Sequence, residues 1–331
     1  MKPFTQNRLD ALFAAFSDKT VMVIGDLMLD RYLWGKVSRI SPEAPVPVVD
    51  IESESSRLGG AANVSYNVLS LGVRVVPLGI VGNDAEGELI KRMFQEKGFP
   101  TEGILTDANR FTTVKTRVIA HHQHVVRTDR EIREGISKAV QDKLMDHFER
   151  RLDGLDGIIL EDYNKGLLVP EFIGRVIARA REKGKMVFVD PKYDHFFEYR
   201  GVTLFKPNRK EAFDRLGIKL DSEDAFRSAL KRLMDELDCR VVLITLGEEG
   251  MILQERGREI MRVPTRAVKV HDVSGAGDTV IAAMAVVMSA GGSAEEAATI
   301  ANQAAGIVCG EVGIVPVDKH VLFQKLAEDV A

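Results

Sequence analysis

Short apolar runs that stop abruptly at polar residues recur along the chain: Val21-Met-Val-Ile-Gly25 before Asp26, Gly157-Ile-Ile-Leu160 before Glu161-Asp162, and Met186-Val-Phe-Val189 before Asp190. The same grammar returns at Val202-Thr-Leu-Phe205 before Lys206-Pro-Asn208 and at Val241-Val-Leu-Ile244 before Thr245-Leu-Gly247. Short runs without apolar/polar alternation suit strands buried on both faces, as in parallel sheets. Between them lie helical patterns. Pro170 to Lys183 has Pro at the first position and Gly184 as its stop. Ser293-Ala-Glu-Glu296 is a capping box that announces a helix to near Gly310, and Val280 to Met288, rich in Ala and Met, suits a buried helix. The alternation predicts an α/β fold: a doubly wound, mostly parallel sheet with helices on both faces. Ligands of such sheets bind beyond the carboxyl ends of the strands, which would gather Asp26, Asp162, Asp190 and Asn208.

Residues 32–52, dense in Pro and Val, and residues 112–128, which alternate Thr, Val, Lys, Arg and Ile, break this rhythm. Both read as β without an intervening helix. They form either a small inserted sheet that covers the site as a lid, its outer face open to a second copy, or ordinary edge hairpins. No repeat or low-complexity linker divides the sequence, so one domain over residues 1–331 is expected, with the lid inside it.

Composition narrows the function classes. With 331 residues and 45% hydrophobic content the chain can bury a full core. A net charge of -4 without a basic stripe speaks against nucleic acid. The amino terminus has no apolar signal core and no stretch is long enough to span a bilayer, so a cytoplasmic protein without membrane contact is expected. Cys239 and Cys309 stand far apart, which fits buried thiols in a reducing compartment. The run His121-His122-Gln123-His124 lacks nearby Cys or carboxylates at zinc spacing and reads as solvated strand histidines.

The chemistry concentrates in Asp272-Val-Ser-Gly-Ala-Gly-Asp278-Thr279, at the mouth of the apolar helix. Gly275 and Gly277 allow several N–H groups to point at one spot near the positive end of the helix dipole, an anion cradle suited to phosphate. Asp278 would repel an anion, so it makes better sense as a proton acceptor beside the transferring group. The competing reading is a tight turn with an N-capping Asp. Neither a P-loop nor a dinucleotide fingerprint is present. Leu58-Gly59-Gly60-Ala-Ala-Asn63-Val-Ser65 would let a ligand approach the backbone beside an Asn amide, or else mark a close helix–strand contact.

Together, Gly59-Gly60-Ala-Ala-Asn63 with Gly72 and Gly82, and Asp272-x-x-Gly-Ala-Gly-Asp278, resemble the two signatures of the ribokinase (PfkB) family of carbohydrate kinases. The resemblance covers nearly the whole chain. Asn208-Arg-Lys-Glu211 looks like the family's Asn-x-x-Glu motif, and Thr245-Leu-Gly-Glu-Glu-Gly250 like its nucleotide-side loop. Gly25-Asp-Leu-Met-Leu-Asp30-Arg-Tyr, Ser38 to Val48, Asp162-Tyr-Asn-Lys165-Gly166 and Val189-Asp-Pro-Lys192 are similar to the bacterial kinases acting on D-glycero-D-manno-heptose 7-phosphate. The resemblance implies ATP with Mg²⁺, and a monovalent cation beside them. It implies transfer of the γ-phosphoryl group to the anomeric O1, giving a 1,7-bisphosphate for ADP-heptose and the lipopolysaccharide core. A separate nucleotidyltransferase is expected to act downstream; only the kinase half is seen up to Ala331, as a stand-alone enzyme or as a piece of a bifunctional protein.

Roles follow from the same resemblance. Asp278 is the base and the N–H groups of Gly275, Ala276 and Gly277 hold the phosphoryl group. An ordinary Asp pKa of about 3.9 leaves that base ionised at neutral pH. Asn208, Arg209, Lys210 and Glu211 organise the phosphates, Glu211 holding Mg²⁺ through water. Lys206 adds charge; Thr245, Gly247 and Gly250 border the nucleotide, with Asn302 beside the adenine. Asp26, Asp30, Gly60, Asn63 and Asp162 face the sugar. Its 7-phosphate needs a cation: Lys115 and Arg117 share one face of a lid strand, with Lys192, Lys165 and Arg127 as rivals. A homodimer through the lid is expected. The alternatives are a PfkB-type kinase for fructose 1-phosphate, tagatose 6-phosphate, ribose or a nucleoside, and a non-catalytic sugar-phosphate sensor.

Overall fold

The computed structural model describes residues 4–120, 123–265, 272–311 and 313–330. His121, His122 and Ala331 lie outside the described residues. Thirteen strands are found among those described: β1 (Thr20–Gly25), β2 (Leu27–Ile40), β3 (Pro47–Gly60), β4 (Arg74–Gly82), β5 (Ile104–Asp107), β6 (Thr113–Ala120) and β7 (Gln123–Arg130), then β8 (Gly157–Glu161), β9 (Met186–Asp190), β10 (Leu204–Phe205), β11 (Val241–Thr245), β12 (Met251–Glu255) and β13 (Met261–Val263). Nine of them form one sheet in the order β13-β12-β11-β10-β9-β8-β1-β4-β5, and four form a second in the order β3-β2-β6-β7. The large sheet is parallel from β5 to β11, with β12 and β13 added antiparallel at one edge.

The unalternated apolar runs are explained by burial on both faces. Val21 and Val23 of β1 belong to one hydrophobic cluster and Met22 and Ile24 to another, as the period of two requires. Helices cover both faces. Pro170–Glu182 packs in the second cluster, while Ala276–Ser289, buried from Asp278 to Ser289, packs in the first beside Ala294–Val308. Both bonds of the capping box at Ser293 are formed. No described helix is long and apolar enough to cross a membrane.

The structure departs from the sequence reading in two places. The run from Val202 yields only the two residues of β10, because the Thr203 side chain takes the Val187 N–H that a regular ladder would give to a carbonyl. The small sheet is also longer than residues 32–52 and 112–128 suggest: it spans 27–60 and 113–130. The polar stretch Ser53 to Arg57 carries no apolar signal, yet each of its residues pairs with β2.

This length places the site. β2 follows β1 with Asp26 alone between them, and β3 runs back to Gly60, where the helix Ala61–Ser70 starts. The Ala61 N–H donates to the Asp26 carbonyl at 3.0 Å, tying the outgoing and returning strands together. Gly60 has φ 57°, and a Cβ there would lie 2.5 Å from the Asp26 carbonyl oxygen, so only glycine allows the crossing.

Candidate active site

The turn before Ala276–Ser289 sets the position of Asp278. Gly275 has φ 79°, and a Cβ on it would approach the Asn63 amide nitrogen to 2.9 Å. Asp278 lies in the first helical turn, buried, with each carboxylate oxygen engaged. Asn63 Nδ2 donates to Oδ2 and the Tyr163 hydroxyl donates to Oδ1, both at 2.8 Å. Burial pushes the Asp278 carboxyl up to about 6, against the two hydrogen bonds that favour its charged form. The ordinary acidity expected from sequence is therefore corrected: the carboxyl is poised closer to neutrality.

Asn63 is itself held. Asn67, one helical turn on, donates to the Asn63 side-chain oxygen at 3.3 Å and accepts from the Thr279 hydroxyl at 3.1 Å. The helix carrying Asn63 and the helix carrying Asp278 are thereby locked in register.

A cavity of about 810 Å³ opens beside the helix start, within the size range of small-molecule sites. Gly275, Ala276, Gly277 and Asp278 form one wall, and Lys192, Lys206 and Asn208 face it from the strand ends. The Lys206 ammonium sits 2.7 Å from Asp190 Oδ2, both buried. A Cβ on Gly277 would lie 3.6 Å from Lys206 Nζ, so the missing side chain keeps the gap between helix and cation open. Thr245, Gly247, Gly250 and Asn302 line the remainder, where Asn302 Nδ2 donates to the Pro264 carbonyl at 2.6 Å. Arg209 and Lys210 stand at the same cavity, paired with Glu249 and Asp214.

Both carboxylate oxygens of Glu211, expected to meet Mg²⁺ through water, are engaged by the protein. Its Oε2 accepts from the Asn208 N–H, closing a capping box on the helix Arg209–Leu216, and its Oε1 accepts from Lys192 at 2.7 Å. The carboxylates that could hold a divalent ion, among the described residues, are Glu161, Asp190 and Asp278, with ligand atoms within 4.8 Å of one another. Glu161 is fully buried with both oxygens lacking a hydrogen-bond partner. Burial, then the charges of Asp190 and Asp278, push its carboxyl well above the usual range.

Several expected sugar-side residues are taken up by the protein. The Asp26 carboxylate accepts the backbone N–H groups of Tyr163, Lys165 and Leu167 at 2.8, 3.0 and 3.3 Å, fastening the loop after β8 to the end of β1. Asp162 accepts from the Tyr199 hydroxyl at 2.7 Å and the Asn164 N–H at 2.8 Å, and burial pushes it up to about 7. On the small sheet, Arg117 is ion-paired with the buried Asp30 and lies 5.3 Å over the Tyr32 ring. Lys165 and Arg127 are paired with Glu131 and Asp129. Lys115 rests over the Tyr163 ring at 5.2 Å, and burial, reinforced by Lys165, lowers its pKa. Lys192, grouped with the sugar from sequence, lines the cavity 4.9 Å from the same ring. Burial would lower its pKa, but Asp190 and Glu211 outweigh this and push it up.

Sequence reading gave no role to Tyr163, Asn67 or Glu161. Asn67 carries a signal, its spacing of four from Asn63 on one helix face. Glu161 stands at a strand end and Tyr163 just beyond it, but their approach to Asp278 is made by distant elements and has no local signature.

The model of the pfkB family carbohydrate kinases matches residues 18–319. The chain is 42% identical over 308 residues to a protein of Geobacter sulfurreducens named bifunctional protein HldE, covering 93% of this chain and 63% of that one. It is 46% identical over 293 residues to a protein of the same name from a Nitratiruptor species, covering 88% and 62%. The chain thus spans less than two thirds of these relatives' length. Among solved structures, Arabidopsis thaliana ribokinase complexed with ribose and ATP superposes with a TM-score of 0.75 at 19% identity, covering 93% of this chain and 98% of that one. Escherichia coli phosphofructokinase-2 in complex with substrates and products gives 0.77 at 18%, covering 94% and 99%. With the family model matched from β1 past the last cavity residue, the chain belongs to the pfkB family of carbohydrate kinases, phosphotransferases that use ATP and Mg²⁺ to phosphorylate a sugar hydroxyl.

Proposed function

We propose that the chain phosphorylates D-glycero-D-manno-heptose 7-phosphate at O1, yielding the 1,7-bisphosphate for ADP-heptose. The observation that carries the reaction type is Asp278, buried at a helix start, both oxygens held, beside a cavity faced by Lys192 and Lys206. Phosphoryl transfer proceeds through a loose transition state, so positioning and charge neutralisation matter most. Asp278 accepts the O1 proton, the N–H groups from Gly275 to Gly277 receive the transferring group, and Lys192 and Lys206 offset its charge. Mg²⁺ would neutralise the nucleotide phosphates, with Glu161 and Asp190 as the oxygen donors available to it.

The heptose assignment is supported by the similarity of residues 25–48, 162–166 and 189–192 to heptose 7-phosphate kinases, and by relatives named HldE. Lys115 and Arg117 supply cations for the sugar's own phosphate. Pairing of two copies through the small sheet is supported by exposed Ile40, Ile51 and Val126. We place the protein in the cytoplasm, with nucleotidyl transfer to the 1-phosphate carried out beyond these residues, and a monovalent cation near the nucleotide.

A panel of sugar phosphates with ADP release as the signal tests the substrate. Heptose 7-phosphate should exceed fructose 1-phosphate, tagatose 6-phosphate and ribose by at least roughly 10² in kcat/KM. A higher value for any of those three would overturn the assignment. Light scattering checks the dimer.

A further inference from the structure

We propose that Tyr163 is a positioning residue for Asp278, and that it links the placement of this carboxylate to Lys115 on the small sheet. Contacts from three parts of the fold meet on this side chain. The hydroxyl donates to Asp278 Oδ1 at 2.8 Å, on the helix Ala276–Ser289. Lys115 Nζ, from β6, lies 5.2 Å from the ring centroid, and Lys192 Nζ, beyond β9, lies 4.9 Å from it. The Tyr163 backbone N–H is fixed on Asp26, at the junction of β1 and β2. A cation from each sheet thus rests on the ring whose hydroxyl touches the base.

The inference rests on Asp278 being the base. A carboxylate that accepts a proton needs one lone pair turned to the sugar hydroxyl and the others held. Asn63 holds one oxygen and Tyr163 the other, which prevents the group from turning about its Cβ–Cγ bond. The sugar proton passes to Asp278 as the sugar oxygen bonds to the γ-phosphorus and the bond to the ADP oxygen breaks; the Tyr163 phenol keeps its own proton. Burial and the neighbouring Asp278 charge raise the Tyr163 pKa well above its usual value, consistent with a permanent donor. Cations are attracted to aromatic faces, so an anionic sugar that engages Lys115 acts on the ring that carries this donor.

The test is a cycle of steady-state kinetics with ATP and heptose 7-phosphate. Tyr163→Phe should lower kcat roughly 10-fold while each KM stays within about 3-fold. Placed in an Asp278→Asn background it should cost less than about 2-fold, because the carboxylate it positions is gone. Incorporating 3-fluorotyrosine at position 163 keeps ring and hydroxyl and should hold kcat within about 3-fold of the parent. Tyr163→Leu should also raise KM for the sugar phosphate roughly 10-fold, and Lys115→Met should add little to it. An equal loss from Tyr163→Phe in both backgrounds, or none in the parent, would overturn the positioning role. Should Tyr163→Phe fail to fold, low kcat in the folded fluorotyrosine protein overturns it equally, and full additivity of Lys115→Met with Tyr163→Leu overturns the link. Retained turnover in Asp278→Asn alone would instead sink the base assignment, a separate outcome.

Discussion

At the carboxyl ends of the large sheet, Lys192 and Lys206 line an open cavity, whereas Arg117 and Arg127 on the small sheet, and Lys165 in the loop after β8, are each closed on a carboxylate. The large-sheet cations have acidic partners too, Glu211 and Asp190, but they face the cavity beside the start of a helix. A phosphate arriving at Arg117 must compete with Asp30, which is buried and costly to leave unpaired. Among the described residues Lys115 differs from its neighbours, resting on the Tyr163 ring rather than on a carboxylate. On the proposed reading, the contrast sets a preformed donor side against an acceptor side that must reorganise to bind.

Lys206→Met should break the donor side most severely. Removing one preorganised charge is expected to lower kcat by roughly 10² to 10³, read by rapid quench. It also leaves Asp190 buried and unpaired, at about 3–5 kcal/mol of stability in thermal unfolding. Adding Asp190→Asn should return much of the stability and none of the rate. A variant with unchanged kcat would remove Lys206 from the transferring group.

On the acceptor side, Arg117→Ala should raise KM for the sugar phosphate roughly 10- to 100-fold and leave that for ATP within about 3-fold. Because Asp30 loses its partner, Tm should fall as well. Pairing the change with Asp30→Asn should recover Tm and leave KM high. Equal rises in both KM values would assign Arg117 elsewhere.

The smallest effect is a pH limb. A buried Asp278 at about 6 accepts a proton on acidification and can then no longer take one from the sugar. Initial rates should be flat above that value and fall about tenfold per pH unit below it. A limb nearer pH 4 would mean that water reaches the carboxylate.

The same contrast governs what the sequence discloses. The residues that line the cavity come largely from short consecutive stretches, 208–210, 245–250 and 275–278, at two strand ends and one helix start, so the motifs that carry the family resemblance are local in the sequence. The helix starts were equally plain from Pro170 and Ser293. Acceptor-side geometry is assembled across the fold. Tyr163 meets Asp278 over a separation of 115 residues and Asn63 meets it over 215. Asp26 was visible at a strand end, but its capture by three backbone N–H groups depends on the loop after β8 folding back. The triad of Glu161, Asp190 and Asp278 requires two strand ends and a helix start to converge. The later part of β3, Ser53 to Arg57, went unread for a simpler reason: no apolar alternation marks it.

The central claim is that Asp278 acts as a base and does little for binding. Single-turnover phosphorylation of heptose 7-phosphate by Asp278→Asn, with both ligands' affinities measured by calorimetry on the same protein, tests it most directly. Affinities within about 3-fold of the parent and a transfer rate lower by roughly 10² to 10⁴ are expected. A transfer rate within a few-fold of the parent, with both ligands bound, would contradict it.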